Sequence, residues 1–328
     1  MMSVDATNKP SSSGIDNSRI GIALGSGSAR GWAHIGVLQA LAELGIEPMI
    51  VAGSSVGSLV GAAYAASQLE EMADMVKMLG WRDIVSYLDM SVMGGGLIQG
   101  DKLVRFFNKY LKEKNIESLP RHFSAVATDL HTGREIWLQN GNLLDAVRAS
   151  VALPGMFTPV KQNGRWLVDG GIVDPVPVSL CRAMGAEVVI AVSLNGDIIG
   201  KHWRNNHHND QQSEMQKTVI QNKNALWDRI SDQLGKSLQD KKNILLSRLF
   251  GDSLNSPGLL EVVAGSINIM QDRITRSRMA GDPPDIILSP RLSHFGLMEF
   301  DRGSQAIEEG RACVERMRSS LEHIASVQ

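Results

Sequence analysis

Two short apolar runs, each followed at once by a helical pattern, fill residues 19–66 of this 328-residue chain. The run RIGIALG (19–25) has β-type character, and apolar residues then recur at helical spacing as far as Gly45, a residue type that commonly ends helices. A second run, IEPMIVAG (46–53), leads into a helical pattern over about 56–66. Strand, helix, strand and helix in this order predict a largely parallel sheet with helices on its faces.

Further α/β signals continue along the rest of the chain. Residues 70–120 read as helical and irregular, and residues 121–130 and 134–140 predict a β-hairpin. The later predictions, in chain order, are a helix in LLDAVRASVALP (143–154), strands in GRWLVDG (164–170) and AEVVIAVSL (186–194), helices around 219–250 and 258–280, a strand in PDIILSP (284–290) and a terminal helix over about 303–325.

The domain organisation follows from where polar segments interrupt this pattern. Residues 1–18 are polar and rich in serine, which predicts a disordered tail. Residues 201–218 are polar and poor in apolar side chains, which predicts a mobile loop. Since the motifs that suggest chemistry all lie in the first 200 residues, we predict one domain over 19–328 with a helical and polar insertion at about 197–280.

Composition excludes several classes of function. A net charge of −2 without a long Lys/Arg run does not favour nucleic-acid binding. Cys181 and Cys313 show no metal-ligand spacing, so we expect no metal and no cofactor, and two cysteines fit a reducing compartment. No apolar run reaches the roughly 18 residues of a transmembrane helix, and the start lacks the apolar core of a signal peptide. We expect a cytoplasmic protein that meets lipid only peripherally, at the inner face of a membrane.

The sharpest motif is Gly53-Ser54-Ser55-Val56-Gly57, which matches G-x-S-x-G. In this nucleophile elbow the central serine is exposed on a strained turn between a strand and a helix, and the glycines avoid steric clash. Taken alone the pattern is weak, because the chain is rich in both residue types. Its position between an apolar run and an immediate helix is the context that the motif requires, so Ser55 is the candidate nucleophile.

A serine nucleophile needs a base, and no histidine accompanies it with a recognisable motif. The eight histidines are His34, His122, His131, His202, His207, His208, His294 and His323. A carboxylate is better placed: Asp169 ends an apolar run directly before Gly170 and Gly171, where parallel sheets carry their sites. The glycines would let another segment approach closely, although a simple Asp-Gly turn would look the same. Asp174 is a second candidate and resembles a turn residue.

The loop LGSGSARG (24–31) could supply backbone N–H groups for a developing oxyanion. Its glycines, Gly25, Gly27 and Gly31, do not fit G-x-G-x-x-G, and no acidic residue follows the second strand as a dinucleotide site requires. The phosphate-loop pattern ending in Gly-Lys-Ser/Thr is absent from the sequence as well. Arg30 could meet a phosphate head group or pair with a carboxylate.

These three motifs in this order resemble the patatin-like phospholipases, in particular the bacterial branch akin to neuropathy target esterase. The similarity extends through VAGSSVGSLVGAAYAA, AVATDLHTGREIW, AVRASVALPGMFTPV, WLVDGGIVDPVPVSL and RMAGDPPDI, and so covers most of 19–312. The resemblance implies a three-layer α/β/α sandwich with a mainly parallel central sheet. It also implies a Ser–Asp dyad without histidine, in which Ser55 is the nucleophile and Asp169 the proton acceptor.

The resemblance further maps the oxyanion hole onto Ser26, Gly27 and Ser28, followed by Arg30 and Gly31. The family more often has glycine at all three loop positions, and this chain has serine at 26 and 28. A serine still offers its amide, but it tolerates positive φ poorly. We therefore expect a differently aimed loop, whose catalytic strength the sequence leaves open.

The implied function is two-step hydrolysis of a fatty acyl ester, with phospholipid or lysophospholipid as substrate class. The apolar faces within 70–120 and 219–280 could form an acyl channel or could simply cover the sheet. Two alternatives stay open: a weakly active or inactive regulator that uses the fold for protein contacts, and an acyltransferase. Protein partners are not indicated by any motif.

Overall fold

The computed structural model describes residues 17–80, 96–98, 115–196, 259–296 and 299–327. The strands are β1 (Ile20–Leu24), β2 (Ile50–Ser54), β3 (Gly96–Ile98), β4 (His122–Asp129), β5 (Glu135–Leu138), β6 (Gly155–Phe157), β7 (Val160–Gln162), β8 (Arg165–Asp169), β9 (Val188–Val192) and β10 (Ile286–Leu288). The α-helices are α1 (Ala33–Glu43), α2 (Val56–Ala65), α3 (Leu69–Met78), α4 (Leu143–Ser150), α5 (Val178–Ala183), α6 (Leu259–Gly281), α7 (Gly303–Arg316) and α8 (Arg318–Val327).

Helices cover both faces of the central sheet, as the sequence predicts. Every residue of β1 is buried, which is the pattern of a strand packed on two sides. Ile22 belongs to a core cluster shared with α1, α2, α3, α4, α7 and α8, whereas its neighbour Ala23 belongs to a second cluster shared with α5. Because successive side chains point to opposite faces of a strand, the two clusters lie on opposite sides of the sheet. The predicted α/β sandwich is confirmed.

The central sheet is mixed. Strands β10, β9, β1, β2 and β4 are neighbours in this order and run parallel, so the prediction of a mainly parallel sheet holds for this part. Strand β5 pairs antiparallel with β4, which confirms the predicted hairpin, and β8 also runs antiparallel to β4 and continues the sheet to β7. A separate short pair is formed by β3 and β6.

The register on β4 brings two strand ends together. Residues 125 and 126 pair with both β2 and β5, and residues 127 and 128 pair with both β5 and β8. Since a strand has only two edges, β5 occupies one edge of β4, and β2 and β8 share the other. Ser54 and Asp169, the last residues of β2 and β8, pair with consecutive residues of β4. The two strands therefore meet with their C-terminal ends facing each other.

Helical elements form the two ends of the described chain. The first is a 3₁₀ turn over Asn17–Arg19, and residues 1–16 of the predicted tail lie outside the described residues. Asn17 is held there because its side-chain oxygen accepts a hydrogen bond of 2.9 Å from Glu47 N. The predicted terminal helix is two helices, α7 and α8, separated at Met317.

Other predictions fall partly outside the described ranges. Of the predicted insertion at 197–280, helix α6 agrees with the helix expected over 258–280, and residues 197–258 lie outside the described residues. Most of the segment 70–120 also lies outside them. No helix in the described part of the chain combines the length and apolarity that a membrane crossing requires.

Candidate active site

Ser55 lies in the turn between β2 and α2, with φ 55° and ψ −127°. A positive φ is unfavourable for a residue with a side chain, and such strained residues cluster at functional sites. The neighbouring glycines make the turn possible. A Cβ on Gly53 would lie 2.5 Å from Ser58 Cα, and a Cβ on Gly57 would lie 2.1 Å from the Leu24 carbonyl oxygen. The spacing of the motif therefore follows from the close approach of α2 to the ends of β1 and β2.

Two other serines hold the backbone of Ser55 in this conformation. The Ser55 N–H donates to Ser150 Oγ at 3.0 Å, and Ser58 Oγ donates to the Ser55 carbonyl oxygen at 2.6 Å. Ser150 is the last residue of α4 and is fully buried. Both polar backbone groups of Ser55 are thus bound by side chains, which leaves its hydroxyl as the group directed at the site.

That hydroxyl contacts the carboxylate at the end of β8. Ser55 Oγ donates to Asp169 Oδ2 at 2.6 Å, and Gly171 N donates to the other carboxylate oxygen at 2.7 Å. The Asp169 carbonyl oxygen accepts a hydrogen bond of 2.8 Å from Thr128 Oγ1. The structure therefore brings together the two residues, 114 positions apart, that the sequence proposes as nucleophile and base.

The paired glycines after Asp169 allow close contacts on two sides. A Cβ on Gly170 would lie 2.2 Å from the Val126 carbonyl oxygen of β4. A Cβ on Gly171 would lie 2.5 Å from Gln271 Nε2. It would also lie 2.7 Å from Ser26 Oγ, in the loop after β1. The expectation that these glycines admit neighbouring segments is confirmed, and side chains at either position would push those segments away.

Asp169 is fully buried, and its environment sets its basicity. Burial raises the pKa of its carboxyl to about 6, while the hydrogen bonds from Ser55 and Gly171 act in the opposite direction. The carboxylate is therefore ionised at neutral pH, yet it is a stronger base than an exposed aspartate, whose pKa is about 3.9.

The loop after β1 is predicted to supply three oxyanion donors, and its described contacts change that set. Ser26 N donates to the Pro175 carbonyl oxygen at 2.8 Å, and Ser26 Oγ lies 3.3 Å from the same oxygen. The Ser26 amide is thus committed within the fold, and it is left out of the donor set that is proposed below. Ser28 takes a positive φ of 52°, a backbone conformation that serine tolerates poorly.

The same loop packs directly against the start of α2. A Cβ on Gly31 would lie 2.2 Å from the Val56 side chain, one residue after the nucleophile candidate. Gly57 approaches the other end of the loop, because its Cβ would lie 2.8 Å from the Gly25 carbonyl oxygen. The motif-supporting glycines of the loop and of the elbow are therefore in mutual contact.

Arg30 orients this loop from a buried position. Its Nε donates to the Gly27 carbonyl oxygen at 3.2 Å, and its Nη2 donates to Asn268 Oδ1 of α6 at 3.2 Å. The Gly27 C=O and the Ser28 N–H share one trans peptide plane and point in opposite directions, so Arg30 fixes the direction of both. Burial lowers the pKa of Arg30 to about 10, and the group stays charged at neutral pH.

Among the described residues, Arg30 pairs with no carboxylate, so the predicted alternative of an ion pair finds no support there. His34 is fully buried and contacts the Gly25 carbonyl oxygen through Nε2 at 2.7 Å. Since a carbonyl only accepts, this nitrogen carries the hydrogen, and burial lowers the pKa of His34 to about 4. His34 is therefore a neutral anchor of the loop.

Among the described residues, the other predicted candidates make no hydrogen bond to the Ser55 hydroxyl. No described histidine is hydrogen-bonded to it, and His202, His207 and His208 lie outside the described residues. Asp174 pairs with Arg278 of α6, with Nη1 and Oδ2 3.2 Å apart. Burial, with Glu135 adding to its effect, raises the pKa of Asp174 to about 8. In the described ranges, no three His, Cys, Asp or Glu side chains are grouped as a metal site.

Sequence reasoning missed four residues that contact the site: Ser150, Thr128, Asn268 and Gln271. The first two lie within segments that carry the family resemblance, which was the available signal for them. The other two lie on one face of α6 and have no motif. Gln271 is buried, and its Oε1 accepts a hydrogen bond of 3.1 Å from Asn195 Nδ2.

Comparison with known proteins agrees with this arrangement. The family model described as patatin-like phospholipase matches residues 22–182, which include the loop after β1, Ser55 and Asp169. An uncharacterized NTE family protein of Mycobacterium tuberculosis is 34% identical over an alignment of 342 residues that covers 94% of each chain. The chain belongs to the NTE family of patatin-like phospholipases. Membership in this family makes it, in general terms, a lipid ester hydrolase.

Two more distant relatives are much longer proteins. Patatin-like phospholipase domain-containing protein 6 of Homo sapiens is 34% identical over 181 residues, which are 53% of this chain and 13% of that protein. Lysophospholipase NTE1 of Pyricularia oryzae is 27% identical over 307 residues, 89% of this chain and 18% of that protein. The solved structure of VipD from Legionella pneumophila aligns with 92% of this chain and 66% of its own at TM-score 0.43 and 12% identity, too distant to support an argument.

The backbone strain at Ser55 can be measured with two variants that both lack the hydroxyl. Ser55→Gly should unfold with a free energy about 1 kcal/mol higher than Ser55→Ala, because glycine accepts the positive φ that costs alanine about 1–3 kcal/mol. Urea unfolding gives both values. At the helical position Ser58 the order should reverse, with Ser58→Ala about 1 kcal/mol more stable than Ser58→Gly. If alanine were more stable than glycine at position 55 as well as at position 58, the backbone at Ser55 would be unstrained.

Proposed function

We propose that this protein hydrolyses fatty acyl esters of phospholipids or lysophospholipids through a Ser55–Asp169 dyad. The observation that carries the proposal is the 2.6 Å hydrogen bond from Ser55 Oγ to Asp169 Oδ2 at a strained strand-to-helix turn. A hydroxyl that already donates to a buried carboxylate has a base in position for its proton. The family supplies the lipid ester as the general substrate, and the name of the fungal relative, lysophospholipase, supports the narrower class.

The proposed reaction has two steps. Asp169 takes the Ser55 proton while Ser55 Oγ bonds to the ester carbonyl carbon, and the carbonyl oxygen becomes an oxyanion. The intermediate collapses, the alcohol leaves with the proton held by Asp169, and the acyl group stays on Ser55. In the second step Asp169 takes a proton from water, whose oxygen attacks the acyl carbon. Ser55 regains its proton, and the free fatty acid departs.

The oxyanion is proposed to bind the backbone around Gly27 and Ser28. Arg30 holds the peptide plane that these residues share, and its buried charge favours a negative oxygen nearby. Ser26 contributes by fixing the loop to Pro175, and His34 by fixing the Gly25 carbonyl. Contacts from Arg30, Ser26 and His34 therefore hold the loop that carries the proposed donors.

The test combines covalent labelling with hydrolysis of a panel of phospholipids and lysophospholipids. A fluorophosphonate should label the wild type at Ser55, and Ser55→Ala and Asp169→Asn should each lower ester hydrolysis by at least about 10³-fold. Asp169→Asn suits the test because an amide can still accept from Gly171 N and is similar in size. Peptide mapping identifies the labelled serine, and assays of fatty acid release give the rates.

Ser54→Ala is the matched control, since Ser54 is the adjacent serine, is fully buried and has no hydrogen-bond partner for its Oγ among the described residues. This variant should keep both labelling and hydrolysis. Equal turnover by wild type, Ser55→Ala and Asp169→Asn would refute the site. A biological effect retained by Ser55→Ala would favour a regulator, and transfer of the acyl group to an added alcohol in preference to water would favour an acyltransferase.

The pH dependence follows from the role of Asp169 as a base. Only the ionised carboxylate can take the serine proton, and its pKa lies at about 6. The value of kcat/KM should therefore be constant above that pH and fall about tenfold per pH unit below it. Asp174→Asn is the control, because Asp174 is also a buried carboxylate with a raised pKa and has no described contact with Ser55. If Asp174→Asn lost the fall of kcat/KM at acidic pH, that fall would belong to Asp174 and its assignment to Asp169 would be wrong.

Asn268 is proposed as a positioning residue that acts through Arg30. Asn268→Ala should lower kcat by about 10-fold with little change in KM, because it frees the guanidinium that holds the Gly27 carbonyl. Ser266→Ala, at an exposed position of the same helix, should leave kcat unchanged. The loss should largely disappear in an Arg30→Lys background, where the orienting contact is already broken. An equal loss in both backgrounds would mean that Asn268 acts on stability alone.

A further inference from the structure

Helix α6 presents a polar side to the protein interior. Asn268, Gln271 and Arg278 lie at spacings of three and seven residues, so they form one stripe on the helix. Asn268 accepts from Arg30, Gln271 contacts Asn195, and Arg278 pairs with Asp174 and Glu135. A surface helix usually turns its apolar side inwards, whereas the described buried residues of α6, Gln271, Asp272 and Thr275, are all polar.

The other side of α6 is apolar in its first half and basic in its second. We call it the outer face, and its members are the exposed residues Val262, Val263, Ser266, Ile269, Met270, Arg273, Arg276 and Ser277. Ile269 and Met270 are adjacent large apolar side chains that are 56% and 54% exposed. None of the exposed residues described on this face carries a carboxylate. Asp272 is buried, and its carboxylate lies 2.8 Å from Arg276 Nε.

We propose that the outer face of α6 docks on an anionic phospholipid surface. Its apolar half would enter the boundary between head groups and acyl chains, and its arginines would meet the phosphates. A helix with an apolar patch and neighbouring arginines is suited to lie in the plane of a membrane interface. The inference rests on the proposed function for the lipid nature of the partner.

The position of α6 connects this surface to the reaction site. Because its inner side contacts Arg30 and approaches Gly171, the outer face lies about one helix diameter, roughly 10 Å, from the loop that holds the proposed oxyanion donors. Docking through this face would therefore bring the reaction site close to the lipid surface. Arg276 is already paired with Asp272, but a second copy of the chain, or another segment of the same chain, would need to offset the charge of Arg273, whereas phosphates supply a negative charge directly.

The test is flotation of the full chain, in a Ser55→Ala background that prevents hydrolysis, with vesicles of phosphatidylcholine alone or mixed with phosphatidylglycerol. The double variant Ile269→Gln, Met270→Gln should lower partitioning onto the mixed vesicles by about 10-fold or more. Glutamine keeps helix propensity and removes the apolar surface. Arg273→Gln should lower binding to the mixed vesicles about fivefold at low salt and leave binding to phosphatidylcholine unchanged.

Met78→Gln is the matched control, because Met78 is 75% exposed on another helix, α3, and should not affect partitioning. Urea unfolding of each variant shows that it remains folded. Equal vesicle binding by the double variant and its parent would overturn the proposal, as would a parent that binds neither vesicle. A double variant that binds vesicles normally would also overturn the proposal if it lost another property. Lost self-association would assign the face to a second copy, and a lower free energy of unfolding would assign it to another segment of this chain.

Failure of the proposed function would be recognised separately. Vesicle binding is measured in a variant that cannot form an acyl-enzyme, so it does not depend on turnover. Wild-type protein that binds mixed vesicles through the outer face and hydrolyses no ester would refute the dyad and leave the docking surface standing. Protein that hydrolyses dispersed esters and does not bind vesicles would refute the docking surface and leave the dyad standing.

Discussion

The shared edge of β4 is the constraint on which the site depends. One strand approaches this edge parallel and another antiparallel, and both are held in register by backbone hydrogen bonds. Their final residues therefore pair with consecutive positions of β4. Ser55 and Asp169 come within hydrogen-bonding distance because the ends of two strands position them, and no long loop is needed between the strands and these residues. Because the side-chain period of a strand is two, a slip of β8 by one residue would turn the Asp169 side chain to the other face of the sheet. The geometry of the two side chains is thus a property of the sheet.

Burial and hydrogen bonding act against each other at Asp169, and their balance gives the carboxylate its chemical character. Complete burial without donors would keep such a group protonated at neutral pH, whereas full exposure would leave it a weak base. The Ser55 hydroxyl and the Gly171 amide each supply one donor, to different oxygens. The Gly171 amide can reach its oxygen because a glycine at that position lets the turn fold tightly beside Gln271 and Ser26. The paired glycines therefore influence the pKa of Asp169 as well as the shape of the turn.

The sequence predicts the parts of this protein that depend on local pattern. Alternation of apolar runs and helical spacing predicts the parallel strands and the hairpin, and the glycines mark the elbow and the turn after Asp169. The antiparallel approach of β8 to β4 could not be read from the sequence, because register is set by long-range pairing. The hydrogen bond of the Ser26 amide could not be read from the sequence for a similar reason, since its acceptor, Pro175, is 149 residues away. Ser150 and Asn268 act through single hydrogen bonds that leave no periodic signal.

The described site extends beyond the part of the chain that the family model matches. Residues 22–182 contain the proposed nucleophile, base and oxyanion loop, but the guanidinium that orients the loop is held from outside this range by Asn268. Gln271, on the same side of α6, approaches the turn that follows Asp169. Contacts on this side fix the orientation of α6 about its own axis, and this orientation determines which of its residues face outwards. The unusual apolar and basic outer face is therefore a direct consequence of the polar contacts that α6 makes with the site.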